Sequence, residues 1–348
     1  MRIAVAMSGG VDSSVTAKLL QKDGHEVVGF TMRQFDDVRF GFGKGEGLNQ
    51  AILDAKNVCD YLGIEHHVID LKSKFDEIVV QSFIKEYGSA KTPNPCTLCN
   101  PTIKWGAFLD AILALGADKI ATGHYAGIVF QDGAYYLQKG IDSAKDQSYM
   151  LWGLSQFQLS KTVFPVGAMN KQEIRRIALE SGIPVAAKKD SQEICFIRGK
   201  YQDFLKEVLE IKQGDITLPN GQVIGEHSGL PYYTIGQRKG LNTPWSDPLY
   251  VLSMDVEHNR LIVTDNPELL YLDEFLIENT NWFGSVPQDY REISVMIRYN
   301  SNPEGVASII KEGERYRITM SKPKKSVTPG QSAVFYRRDL LIGGGVIV

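Results

Sequence analysis

The chain has 348 residues, 43% of them hydrophobic and 23% charged, with a formal net charge of −3 and four cysteines. That length predicts two or three domains of a soluble, enzyme-sized protein, and no apolar run approaches the roughly 20 residues of a membrane-spanning helix. Four thiols spread over so long a chain exclude a disulfide-stapled mini-domain and favour metal binding or catalysis. A strand pattern that begins at Arg2 argues against a leader peptide, so a cytoplasmic protein with no membrane partner is expected. Residues 281–348 hold ten basic against six acidic side chains, a tilt compatible with a polyanion and also common by chance.

In chain order, the apolar runs 2–6, 26–32, 66–71 and 118–122 alternate with helical patterns. Val15, Leu19 and Leu20 precede Gly24, and Ile52, Ala55, Val58, Cys59 and Leu62 precede Gly63. Near-continuous apolar strands alternating with helices imply an α/β domain with a parallel sheet covered on both faces. Residues 41–47 read as a glycine-rich loop, residues 127–140 as a hairpin turning at Asp132–Gly133, and Asn170 as the cap of a helix from Lys171 to Ser181. Beyond about residue 200 come short alternating segments, among them 223–224, 249–254, 261–264, 295–299, 316–320 and 332–336. They predict two small β-rich domains, and the expected division is 1–200, 201–272 and 273–348.

Between the first strand and the first helix stands Ser8-Gly9-Gly10-Val11-Asp12-Ser13-Ser14. Glycines let backbone N–H groups converge, a helix N-terminus adds positive potential, and serine hydroxyls donate to phosphate oxygens. A bare Gly-Gly turn is as well read as a helix cap. The whole string is more specific, lacks the Gly-Lys-Ser/Thr ending of a Walker A loop, and resembles the pyrophosphatase loop of adenylating enzymes. Those enzymes cleave ATP between its α and β phosphates.

Cys96 and Cys99 lie in Pro93-Asn94-Pro95-Cys96-Thr97-Leu98-Cys99-Asn100-Pro101. With Pro101 as its first residue, a helix would run to Leu115, placing Cys99 at its N-terminus with Lys104 close by; positive potential there would lower the thiol pKa. A lone Cys-x-x-Cys also fits a redox pair, half a zinc site or iron–sulfur ligation. No second Cys-x-x-Cys or His pair completes a zinc site, and no resident metal is expected, although three thiols are compatible with a cluster that has one open iron site. Cys195 follows the polar, basic stretch 188–193 and by itself reads as a core cysteine, as does Cys59 on its apolar helix stripe.

Several further strings accompany these. They are Thr92-Pro93-Asn94-Pro95, Ala121-Thr122-Gly123-His124-Tyr125, Lys145-Asp146-Gln147-Ser148-Tyr149, Lys189-Asp190-Ser191, Ile194-Cys195-Phe196, Gly236-Gln237-Arg238-Lys239-Gly240-Leu241 and Thr328-Pro329-Gly330-Gln331-Ser332. Together the set resembles the bacterial tRNA-specific 2-thiouridylase family. The resemblance implies a pyrophosphatase-loop domain, a small central domain and a C-terminal β-barrel. It further implies ATP, and as partners the anticodon loops of the tRNAs for glutamate, glutamine and lysine and a cysteine desulfurase or relay protein as persulfide donor; Mg²⁺ is expected with ATP as the usual neutraliser of a triphosphate.

By matching motif, the family resemblance makes Cys99 the nucleophile and Cys195 the persulfide carrier. It assigns Ala6, Met7, Ser8, Gly9, Gly10, Val11, Asp12, Ser13, Met32 and Gly123 to the ATP site. Asn94, Pro95 and Cys96 would meet the target base, and His124, Lys145, Asp146, Gln147, Arg298, Tyr299 and Gln331 would contact tRNA. Some members carry Asp where this chain has Cys96, which argues against a general role for that thiol in persulfide chemistry. The rival expectations are another adenylating enzyme, such as an amidotransferase synthetase or a 4-thiouridine or 2-thiocytidine thiolase, and a non-catalytic RNA-binding protein.

Overall fold

Alternation of apolar strands with amphipathic helices in the first 200 residues produces a parallel five-stranded sheet. A computed structural model describes residues 1–37, 39–41, 47–189 and 194–348. They form two units: residues 1–80, 96–198 and 339–343 in the first, and 81–95, 199–338 and 344–348 in the second. The expected loop at 41–47 and the string Asp190-Ser191 fall largely outside the described residues.

The first unit contains β1 (Arg2–Ala6), α1 (Val11–Lys22), β2 (Glu26–Arg33), α2 (Gly47–Leu62), β3 (His66–Asp70), β4 (Lys119–Ala121), the hairpin β5 (Ala126–Gln131) and β6 (Ala134–Lys139), and β7 (Thr162–Val163). The sheet order is β3-β2-β1-β4-β7, with every pairing parallel. Central position explains burial: Ile3, Ala4 and Val5 are at most 1% exposed, whereas the edge strand β3 leaves Val68 43% exposed. The edge strand β7 is still covered, with Thr162 4% exposed and Val163 against the core, so the covered-sheet expectation fails at β3 alone among the described strands of this sheet.

Asn170 accepts from the Glu173 N–H while Glu173 reaches back to the Asn170 N–H, a capping box that starts the helix Lys171–Glu180. Ile174 and Ala178 of that helix join Val11, Val15, Val58 and Cys59 in one apolar cluster, where each fully buried aliphatic side chain contributes about 1.5–3 kcal/mol. The hairpin turns at Asp132 (φ 52°) and Gly133 (φ 79°). β6 pairs with Leu340 and Leu341, a pairing with no local sequence signal.

In the second unit, β8 (Gly214–Thr217), β9 (Val223–His227), β10 (Tyr250–Asp255) and β11 (Arg260–Thr264) form a sheet ordered β10-β11-β8-β9. Its core includes Ile216, Leu230, Val251, Leu261 and Val263. The strands β12 (Tyr271–Trp282), β13 (Ile293–Met296), β14 (Glu304–Glu312), β15 (Arg315–Lys325), β16 (Ser332–Arg337) and β17 (Leu340–Ile347) follow in the order β12-β15-β14-β13-β16-β17. β12 also pairs with β17, closing these six strands into a barrel; residues 340–343, at the start of β17, belong to the first unit, where Leu340 and Leu341 pair with β6. The strand expected over 295–299 ends at Met296, so Arg298 and Tyr299 lie in the bend that follows.

Candidate active site

The phosphate loop leaves β1 at Ala6 and enters α1 at Val11. Gly9 has φ +67°, and a Cβ there would lie 2.3 Å from the Ala51 carbonyl oxygen on α2; only glycine allows so close a seat. Gly123, just past β4, approaches the first turn of α1 so tightly that its Cβ would stand 2.8 Å from the Ser13 nitrogen. Met7 is buried at the end of β1, and Met32 is half-buried on β2. The loop closes internally, with Ser8 N–H donating to Ser13 Oγ at 3.2 Å and Ser14 Oγ donating to the Gly10 carbonyl at 2.7 Å.

Gly10 caps α1 with no side-chain hydrogen bond. The N-terminal amides of that helix are therefore left to a ligand, and the cradle fits a phosphate group. Asp12, assigned to the nucleotide by resemblance, has internal partners: Lys171 Nζ donates to both carboxylate oxygens at 2.7 and 2.9 Å, and Tyr125 Oη donates at 2.8 Å.

Cys99 requires a correction. The helix begins at Pro95, not Pro101, so Cys99 closes the stretch Pro95–Cys99 and Cys96 occupies the first turn. Pro101 lies inside the continuing helix. Its missing N–H cannot serve an i→i−4 bond, and the chain widens into π-helical turns after Asn100, kinks at Gly106 (φ −93°, ψ −108°) and resumes as α-helix at Phe108–Ala114. Cys99 is 9% exposed. Burial pushes its thiol up to about 11, against a smaller downward pull from Lys104. The expected lowering of its pKa is therefore overturned, because desolvation outweighs the nearby ammonium.

Cys96 and Cys195 each present surface to solvent, yet protein crowds both thiols, and burial raises both. Cys195 also feels the charges of Cys99, Cys96 and Lys104, so these groups lie within electrostatic range of it. Phe196 and Ile197, at 1% and 4% exposure, pin the turn that carries Cys195, with Phe196 edge-on to Phe75 at 5.6 Å. Cys59 is core as expected, its thiol pushed up to about 12 mainly by burial. Among the described residues, no set of three His, Cys, Asp or Glu side chains is arranged to hold a metal ion.

Lys104 Nζ donates to Asn100 Oδ1 at 3.0 Å and lies 3.3 Å from His124 Nε2. His124 Nδ1 stands 2.7 Å from Thr122 Oγ1. Burial first, and Lys104 second, hold the imidazole pKa well below its usual value, so neutral His124 accepts from the ammonium and donates to the hydroxyl.

The string 145–149 is built in beside Tyr125. The Gln147 N–H donates to the Tyr125 carbonyl at 2.9 Å, and Gln147 Oε1 accepts from the Tyr125 N–H at 3.1 Å. Asp146 accepts from the N–H groups of Gly140 and Ser148, and the Lys145 N–H donates to the Asp142 carbonyl.

In the second unit, the Thr92 N–H donates to the Pro329 carbonyl, and Gln331 Nε2 donates to the Thr92 carbonyl at 2.6 Å. That fastens the stretch leading to Asn94 and Pro95. Arg298 Nη2 donates to the carbonyls of Ile235 and Ser326 and to Thr328 Oγ1. Sequence reasoning did not pair Tyr125 and Lys171 with Asp12, bonds that span 113 and 159 residues; no short-range pattern encodes such partners.

Family models match the chain in three consecutive stretches. They are a tRNA methyl transferase HUP domain over residues 1–199, a tRNA methyl transferase PRC-barrel domain over 202–265 and an aminomethyltransferase beta-barrel domain over 272–347. Among curated relatives, the tRNA-specific 2-thiouridylase MnmA of Heliobacterium modesticaldum is 44% identical, covering 99% of this chain and 92% of that protein. The enzyme of the same name from Pelobacter propionicus is 43% identical over 100% and 97%, and that of Trichormus variabilis 40% over 99% and 98%.

Proposed function

The chain belongs to the tRNA-specific 2-thiouridylase family, and on that premise we propose that it uses ATP to replace the 2-oxygen of the wobble uridine with sulfur. The tRNAs for glutamate, glutamine and lysine are its substrates, and its place of work is the cytoplasm. Residues 1–200 are the catalytic domain, 201–272 a central domain and 273–348 a barrel that contacts tRNA. The observation that carries this reading is the gathering of Cys99, Cys195 and Lys104 in the unit that also holds the phosphate loop.

The uracil 2-oxygen is a poor leaving group. Attack of that oxygen on the α-phosphorus of ATP releases pyrophosphate and leaves a C2–O–AMP bond whose rupture expels a good leaving group, AMP. The amides at the start of α1 and the Ser8 and Ser13 hydroxyls hold the phosphates, and Mg²⁺ entering with ATP supplies charge neutralisation.

Cys195 carries the sulfur as Cys195–S–SH, loaded by a cysteine desulfurase or its relay. On one route the terminal sulfur attacks C2 and AMP departs. Cys99 thiolate then attacks Cys195 Sγ, forming a Cys99–Cys195 disulfide and freeing 2-thiouridine. On the other, Cys99 attacks first and releases hydrosulfide, which displaces AMP. Either way the disulfide takes two electrons from a dithiol reductant before the next turnover. Asn94, Pro95 and Cys96 meet the target base, and His124, Lys145, Asp146, Gln147, Arg298, Tyr299 and Gln331 contact tRNA through surfaces beyond the bonds described above.

The test is incubation with ATP, Mg²⁺, a persulfide donor and each unmodified tRNA, followed by digestion and mass spectrometry of the nucleosides. ATP-dependent 2-thiouridine at the wobble position is expected. Its absence from every tRNA would sink the reading, and 4-thiouridine or 2-thiocytidine would replace it with a sister activity.

A further inference from the structure

The phosphate loop is gripped by a residue that its own motif does not contain. Lys188 Nζ donates to the Gly9 carbonyl at 2.9 Å and to the Asp54 carboxylate on α2. The other Asp54 oxygen accepts from Gln50 Nε2 at 2.8 Å, which fixes the carboxylate. The backbone of Lys188 is tied as well: its N–H donates to the Val185 carbonyl, and its own carbonyl accepts from both Arg175 Nη atoms at 3.3 Å. With the lysine side chain 38% and the aspartate 17% exposed, the pair is partly withdrawn from solvent, where charge-assisted bonds hold better than on an open surface.

A trans peptide keeps its C=O and N–H antiparallel, and among the described residues there is no cis peptide bond. An ammonium on the Gly9 carbonyl therefore fixes the direction of the Gly10 N–H, which must point away from Lys188. Among the described residues that N–H makes no hydrogen bond. Gly9 needs such a hold, because a glycine at positive φ has no side chain to oppose rotation of its peptide plane.

We propose that Lys188 is a positioning residue of the ATP site: it locks the Gly9–Gly10 peptide so that the Gly10 N–H is presented to a phosphate oxygen, with Asp54 holding the ammonium in place. The proposal rests on the ATP-dependent reading above. It adds a further long-range part to a cradle whose ligand-facing groups come from local sequence, beside the seat of Gly9 on Ala51 and the approach of Gly123 to Ser13.

Two measurements test it on the full chain: the Kd of a non-hydrolysable ATP analogue by calorimetry, and amide hydrogen exchange of residues 7–15. Lys188→Met is expected to raise Kd about tenfold, the scale of one charge-assisted hydrogen bond. It also accelerates exchange of the loop, with affinity for unmodified tRNA unchanged. Lys188→Arg, which keeps a cationic donor, recovers most of the affinity, and Asp54→Asn falls between wild type and Lys188→Met. Wild-type Kd and exchange in Lys188→Met overturn the proposal. So does a parallel loss of ATP affinity, tRNA affinity and thermal midpoint, which would mark a general packing role. A wild-type protein that binds no nucleotide would instead bring down the ATP-dependent reading itself, a result distinct from a variant that matches a nucleotide-binding parent.

Discussion

The phosphate loop and the thiol cluster are built on opposite plans within one unit. The loop takes its ligand-facing groups from a few consecutive residues, tied by local bonds such as Ser14 Oγ to the Gly10 carbonyl and by distant ones such as Lys188 Nζ to the Gly9 carbonyl, so its backbone amides are preorganised for an anion. The thiols come from distant segments, and protein crowding keeps them protonated: Cys99 is pushed up to about 11 and Cys195 is raised as well. A cradle for charge can stand ready at no cost, whereas a buried thiolate would be expensive without its substrate. The contrast is between an anion cradle formed in advance and thiols whose ionisation burial disfavours.

The strongest way to break this comparison is to remove the thiols. Cys99→Ser and Cys195→Ser are each expected to lower 2-thiouridine formation about a thousandfold or more, as loss of a nucleophile does. ATP affinity should stay within about twofold, because among the described residues neither thiol makes a hydrogen bond to residues 8–14. Nucleoside mass spectrometry and analogue calorimetry on the same preparations check both halves. More than a tenth of wild-type turnover in either variant, with a persulfide donor present, would remove that cysteine from the mechanism.

The same contrast explains what the sequence disclosed. Strand, Gly-Gly turn and helix are neighbours in the chain, so periodicity and residue type located the loop, and Asn170 announced its helix through a capping box. The Cys99 environment was misread because Pro101 looked like a helix start and is an interior proline tolerated by π-helical turns. The role proposed for Cys195 rests on family resemblance, since an apolar flank such as Phe196–Ile197 reads locally as core. Lys171, Lys188 and Tyr125 act across more than a hundred residues, where no local pattern reaches.

A second, smaller effect tests the preformed half. Gly9→Ala would place a methyl 2.3 Å from the Ala51 carbonyl at φ +67°. Left-handed backbone costs roughly 1–2 kcal/mol and α2 must also shift, so a total loss of about 2–4 kcal/mol of stability is expected. ATP affinity should fall by at least about tenfold. Gly24→Ala provides the control: its φ is +80°, but nothing lies within 4 Å of the new methyl, so only the backbone cost of about 1–2 kcal/mol applies and ATP affinity is kept. Equal stability losses in the two variants would mean that the seat on α2 adds nothing.

The gentlest test titrates the thiol half. With Cys99 pushed up to about 11, alkylation of that thiol by iodoacetamide should rise about tenfold per pH unit between pH 8 and 10, because the reactive thiolate grows in proportion. Lys104 opposes burial at all three thiols, so Lys104→Met should slow alkylation at pH 8.5 about three- to tenfold and move the midpoint higher still. The sign carries over to stability. A thiol whose pKa is raised from 9.0 in the unfolded chain holds its proton longer when folded. Its contribution is therefore fully present below pH 9 and lost as pH climbs towards 11. An alkylation plateau already reached near pH 9 would show an activated thiol, and the difference between the two sites would then lie in how the cysteines are brought together, with no part left for the suppression of their charge.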